Sequence, residues 1–328
     1  MTRARHQLID LSATSYYHVI NRCIRRSFLC GDDPYTKRNY DHRRQWLVDR
    51  IKLLSSIFSI NIAAYAIMSN HYHLVLQVDK VHADMLSMDE VIERWYQLYN
   101  GHPIVDDYLA NRGLSTVKFT KVEEYAQLWR ERLYDISWFM KCLNEHISRE
   151  ASKEDNCTGK FWEGRFKFQA LLDEKALLSC LAYVDLNPIR AGIAQSVEDS
   201  DFTSIQERIK QYRSHQRQQH KANDGCSVSS QPPSLLPFSP VANTNAIPLS
   251  YGDYFELVDW SGRHIAPKKS GFINESVPKV LLVLNIDTED WLSVAKEFRR
   301  QYGSFAGSEI NLRNYAHHDG RSWCKGVG

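Results

Sequence analysis

Ile60-Asn61-Ile62-Ala63-Ala64-Tyr65-Ala66-Ile67, Met68-Ser69-Asn70 and His71-Tyr72-His73-Leu74-Val75-Leu76-Gln77-Val78 follow one another, and this stretch decides the fold. The first run is short and apolar, so it reads as a strand. Ser69-Asn70 marks a tight turn, and the last run is a second strand, making an antiparallel hairpin. Upstream, Tyr16-Tyr17-His18-Val19-Ile20 is β-branched and aromatic, another strand. Between them, Trp46, Leu47, Ile51, Leu54 and Ile57 recur at three- and four-residue steps, predicting an amphipathic helix over 38–58. Downstream, 89–100, 122–132 and 135–150 read as helices, and 161–172 as a strand carrying Arg165 and Lys167. Asp173 then caps a helix with the apolar stripe Leu177, Leu178, Leu181 and Val184, and Pro188 stops it. The order β-α-β-β-(helical insertion)-β-α predicts an α+β fold: a ferredoxin-like antiparallel sheet with helices, interrupted by an insertion at about 80–133. Fold alone assigns no chemistry.

The 328 residues are 43% hydrophobic and 24% charged, enough for one large domain or two ordinary ones with a real core. No run of ~18 apolar residues suggests a membrane span. No apolar stretch follows Met1-Thr2-Arg3-Ala4-Arg5-His6, so a secretory leader is not expected. The seven cysteines are scattered without a CxxC pair, which fits a reducing cytoplasm and argues against a structural zinc site. Net charge is only +2, so any nucleic-acid surface must come from local clustering. Five of the ten prolines fall between Asp224 and Ser250. That composition reads as a linker over 223–250, unlikely to be packed. It divides a domain at 1–222, ending in the basic helix Arg208–Arg217, from a mainly helical accessory unit at 251–328 with an apolar helix near Trp291–Phe298.

Three elements carry candidate chemistry. In Asn70-His71-Tyr72-His73, strand alternation sends both imidazoles to one face and Tyr72 to the other. Two imidazoles one pleat apart can converge on a metal ion; spacing alone also describes two polar residues on a half-exposed strand. Tyr183 and Asn187, four apart, share a helix face. A phenol and an amide oxygen suit a nucleophile beside a hard cation, while a core tyrosine and an Asn-Pro helix stop explain the same residues. In Gly159-Lys160-Phe161-Trp162-Glu163-Gly164-Arg165-Phe166-Lys167, bases and aromatics interleave. This suits phosphate contact with base stacking, or a strand with solvated charges. Arg22, Arg25 and Arg26 extend the basic surface.

Taken together, these elements resemble the single-tyrosine HUH transposases, and among them the REP-associated tyrosine transposases. The carriers are His71-Tyr72-His73, Gly164-Arg165-Phe166, and Tyr183-x-x-x-Asn187-Pro188 with Ala191-Gly192, and the resemblance spans about residues 12–195. It implies that His71, His73 and Asn187 bind a divalent metal, Mg or Mn, and that Tyr183 is the nucleophile on a DNA phosphodiester. Arg22, Arg25, Arg26, Arg165, Lys167 and Arg190 are then the expected DNA contacts. The implied activity is a metal-dependent single-stranded DNA endonuclease and strand transferase that forms a 5′-phosphotyrosine at hairpin-bearing repeats. Its partners are single-stranded and hairpin DNA, with no membrane, and it acts as a monomer or homodimer. Two other readings stay open: a domesticated, non-catalytic repeat-DNA-binding protein, and a metal-dependent phosphohydrolase using water. The insertion and the unit beyond Tyr251 depart from the shorter relatives.

Overall fold

The computed structural model describes residues 9–24, 29–32, 37–219, 231–241, 245–265, 276–318, 320 and 324–326. Its strands are β1 (Tyr16–Arg22), β2 (Ile60–Ile67), β3 (His71–Val78), β4 (Lys167–Leu171) and β5 (Phe305–Ala306). In chain order the helices begin with α1 (His42–Ile57), α2 (Lys80–Met85), α3 (Met88–Tyr96), α4 (Pro103–Leu109), α5 (Thr116–Leu133) and α6 (Ile136–Glu154). They continue with α7 (Glu174–Asp185), α8 (Asn187–Arg190), α9 (Ser204–Gln219), α10 (Tyr251–Ile265), α11 (Lys279–Val283), α12 (Thr288–Gln301) and α13 (Glu309–His318). The protein is α+β, with one five-stranded sheet in the order β2-β3-β1-β4-β5. β1 is central and antiparallel to both β3 and β4, while β5 runs parallel to β4.

The chain packs as two compact units, 1–45 with 62–77 and 160–328, and 46–61 with 78–159. The second unit is helical, with an aromatic interior. Trp95 lies parallel to Trp129 at 5.9 Å and meets Trp138 edge-on at 5.5 Å, with Arg132 4.3 Å from the Trp138 ring. It extends well past the predicted insertion end at 133, because the apolar stripe of α6 (Ile136, Phe139, Leu143, Ile147) is buried and Phe139 packs on Phe58. Ser87 and Glu90 close a capping box on α3.

The first unit is organised around α7. Asp173 caps its start by accepting from the Ala176 amide. Every residue from Ala176 to Asp185 is buried. A helix buried on all sides needs cover on all sides. One side is met by sheet residues such as Ala64, Ala66 and Val75; the same core takes in Tyr254, Leu257 and Val258 of α10 with Trp291, Ala295 and Phe298 of α12. The separation of 251–328 as an accessory unit is therefore corrected: the segment completes the core around α7. It also adds a strand, since β5 pairs Phe305 with Ala170 and Ala306 with Leu171.

The proline-rich stretch is likewise packed where it is described. Leu235, Leu236, Phe238 and Ile247 are buried, and the Leu236 amide donates to the Ile62 carbonyl of edge strand β2 at 2.8 Å. Backbone pairing of Ala66 with Thr203 and of Ile67 with Phe202 covers more of that edge. Composition marked irregular backbone there; the apolar residues between the prolines supply the packing.

The strand predicted over 161–172 is regular only from Lys167. Between the Cys23–Trp162 bridge and the Ile20–Lys167 pair, the far strand carries two more residues than β1, so 163–166 bulges out. Trp162 anchors the near end of the bulge by packing edge-on against Tyr72, 5.7 Å away.

Candidate active site

Strand parity sets the site. On one face of the sheet stand His18, Ile20 and Arg22 of β1, His71 and His73 of β3, and Lys167 and Gln169 of β4, directly paired across the ladders. Tyr72 has the opposite parity and is fully buried. α7 brings Tyr183 over the histidine face, with its ring centroid 5.7 Å from His73 and 6.0 Å from His18. The His71 and His73 rings are 4.9 Å apart. A cleft of about 460 Å³ opens here, lined by His71, His73 and Tyr183 together with Arg22, Arg165, Lys167, Arg299 and Glu163. Four cations face one carboxylate, so the cleft favours an anion. The bulge at 163–166 is what presents Glu163 and Arg165 to it.

Each imidazole has one nitrogen occupied. His71 Nδ1 donates to Asn70 Oδ1 at 2.6 Å, and His73 Nδ1 bonds His18 Nε2 at 3.0 Å. Burial is the largest influence on all three rings. It pulls His71 down to about 4, aided by Arg22, Arg299 and Arg190. It pulls His18 to about 3 against the opposing bond to Gln169, and holds His73 well below the ordinary histidine range. At neutral pH the rings are uncharged and offer lone pairs. His71 and His73 thus fit as nitrogen donors to a divalent cation, each with a fixed outer partner. Among the described residues, no three His, Cys, Asp or Glu side chains form a group that could hold a metal ion.

Asn187 is not among the residues that line this cleft. α7 ends at Asp185, and Leu186 leaves the helix at ψ 2°, so Asn187 starts the separate turn α8. Its side chain is buried, and Oδ1 accepts from Arg190 Nη2 at 3.0 Å. The helix thus breaks ahead of Pro188 rather than at it, and Arg190 bridges the Asn187 amide oxygen to the Tyr183 ring. Arg190 lies under the nucleophile candidate: its guanidinium carbon is 3.9 Å from the Tyr183 ring centroid, and Nη1 donates to the Lys296 carbonyl of α12.

Of the expected DNA contacts, Arg22, Arg165 and Lys167 line the cleft, Arg190 sits against Tyr183, and Arg25 and Arg26 lie outside the described residues. Arg208, in the basic helix, is buried: its Nη2 donates to the Ala63 and Leu236 carbonyls, and its guanidinium sits over Phe238. Sequence reasoning missed Arg299, His18, Gln169, Glu163 and Phe298, whose ring centroid is 6.1 Å from that of His18 and 5.8 Å from that of Tyr183. His18 had a usable signal, a polar residue with the same parity as Ile20 in an apolar strand. Arg299 had none, since only tertiary packing returns α12 to the sheet.

The fold and cleft define the class: an α+β protein with a His-x-His strand pair facing a helix-borne tyrosine in a cationic cleft. No protein-family model matches the chain, and no curated protein does. Among solved structures it is similar to a REP-associated tyrosine transposase bound to a REP hairpin, at 14% identity and a TM-score of 0.34, over 66% of this chain and 91% of that one. So slight a likeness transfers no residue's role.

Proposed function

We propose that this chain is a metal-dependent endonuclease and strand transferase for single-stranded DNA, with Tyr183 as nucleophile and hairpin-bearing repeats as substrate. The observation that carries this is the Tyr183 phenol facing the His71–His73 pair across an anion-favouring cleft. The resemblance of the three motifs supplies the substrate class. A Mg or Mn ion, when bound, polarises the phosphodiester through a non-bridging oxygen and neutralises developing charge. His71 and His73 would hold it through Nε2, the nitrogen that each has left without a partner. The Tyr183 oxygen attacks phosphorus in line. The new Tyr–O–P bond replaces the P–O3′ bond, and the phenolic proton is balanced by the proton gained on the released 3′-oxygen. Arg190 packs over the ring face and holds it in place, and Arg165, Lys167 and Arg299 neutralise the phosphates on either side. Attack by another 3′-hydroxyl on the phosphotyrosine reverses the step and joins strands.

A duplex would hold the scissile phosphate away from this recessed site, which favours a single strand. Tyr183, His71 and His73 all come from one chain, so one copy contains the chemistry. Asn187 serves by holding Arg190 against Tyr183. The deciding experiment is incubation with labelled single-stranded DNA from the gene's own flanks and Mn²⁺, followed by a denaturing gel. A covalent protein–DNA band that depends on Tyr183 supports the proposal. Cleavage without an adduct would move the nucleophile to water, and DNA binding without cleavage would leave a binding protein.

A further inference from the structure

A line of buried polar groups leaves the cleft behind His73, and each of its hydrogens can be assigned. Gln169 Nε2 is 2.7 Å from the Gly303 carbonyl and 3.5 Å from that of Tyr302. Carbonyls only accept, so the nitrogen end of the amide must face them. That turns Gln169 Oε1 toward His18 Nδ1, 3.0 Å away. Oε1 only accepts, so His18 carries its proton on Nδ1 and its Nε2 is a lone pair. His18 Nε2 meets His73 Nδ1 at 3.0 Å, so His73 must donate from Nδ1. The two rings are within 11° of parallel with centroids 5.2 Å apart, a geometry compatible with an edge-to-edge bond between them. His73, which lines the cleft, is then left with an unprotonated Nε2.

We infer that His18 and Gln169 are positioning residues that fix the tautomer of His73, and that the line is anchored by the backbone of the segment joining α12 to β5. Burial gives the line its force: His18, His73 and Gln169 are 0%, 2% and 6% exposed, so a polar atom left without its partner there is costly. An isolated neutral imidazole is free to exchange tautomers; here the wrong one would place two N–H groups, or two lone pairs, against each other. The consequence for chemistry rests on the reading of His71 and His73 as metal ligands, whereas the tautomer assignment does not. It also gives the segment beyond residue 300 a part in the site through a backbone atom.

The test separates the two. The full-length, metal-free chain, labelled with ¹⁵N at histidine, is examined at neutral pH by long-range ¹H–¹⁵N correlation, which distinguishes Nδ1–H from Nε2–H rings. Mn²⁺ binding to the same samples is titrated by electron paramagnetic resonance. In the unaltered chain His18 and His73 are both expected as Nδ1–H. Gln169→Leu removes the acceptor, freeing His18 to turn its proton toward His73, and a substantial Nε2–H population is expected at His73. Mn²⁺ affinity should fall about 10- to 100-fold, the usual effect of losing a ligand's outer partner. His18→Gln, whose amide oxygen can accept from His73 Nδ1, should restore both readouts relative to His18→Phe. A wild-type His73 protonated on Nε2 overturns the inference, as does a Gln169→Leu protein with an unchanged His73 tautomer. Correct tautomers in a chain that binds no Mn²⁺ uphold the line and overturn the metal reading instead.

Discussion

Trp291→Ala tests whether the segment beyond residue 250 belongs to the sheet's core. Trp291 is 1% exposed, sits in the cluster that includes α7, and donates from Nε1 to Ser261 Oγ of α10 at 2.8 Å. Removing a buried indole costs about 3–5 kcal/mol through lost transfer energy and the cavity left behind. At 1.4 kcal/mol per tenfold, that is roughly two to three and a half powers of ten in the opening equilibrium of whatever unit contains it. Hydrogen–deuterium exchange read by mass spectrometry reports the size of that unit. Peptides covering Tyr16–Arg22 and His71–Val78 should lose protection by this factor, because β1 and β3 open together with the core that holds Trp291. Variant peptides from these strands with unchanged protection, beside faster exchange confined to residues beyond 250, would refute the reasoning and restore an independently folded tail.

Tyr183→Phe removes one oxygen and should abolish the covalent DNA adduct while binding to the same oligonucleotide, measured by fluorescence anisotropy, stays within about twofold of wild type. Arg165→Ala with Lys167→Ala should weaken single-strand binding and reduce the slope of log affinity against log salt by about 1.4, at about 0.7 per lost phosphate contact; an unchanged slope would put the DNA path elsewhere. Arg299→Ala should lower both adduct yield and DNA affinity in the same assays, and wild-type behaviour would remove α12 from the site. Asn187→Ala should leave Mn²⁺ affinity within about threefold but slow adduct formation, since Arg190 loses a partner. A loss of Mn²⁺ binding of tenfold or more would return Asn187 to the metal.

Local pattern was enough for the elements nearest the chemistry. The hairpin 60–78, the parity that sets His71 and His73 together and turns Tyr72 away, and the Asp173 cap on the tyrosine helix are all short-range consequences of alternation and capping. Spacing was insufficient at Asn187, because whether a helix runs straight to a proline or breaks two residues earlier depends on what the following turn packs against. It was insufficient again at 161–172, where a two-residue difference between paired strands makes the bulge that offers Arg165 to the cleft. Such a difference exists only once two distant segments are aligned.

The sequence by itself determined the class of fold, the face on which the imidazoles stand and the helix that carries Tyr183, because each depends on residues within a few positions of one another. Tertiary structure alone decided that the proline-rich stretch is packed, that β5 joins the sheet, and that Arg299, Phe298 and the Gly303 carbonyl reach the site. The physical reason lies in α7. A helix so rich in apolar residues announces that it needs a second cover, but not which part of the chain supplies it. Side chains from α10 and α12 provide that cover, and the same packing carries a cation to the histidine cleft and a backbone acceptor to Gln169.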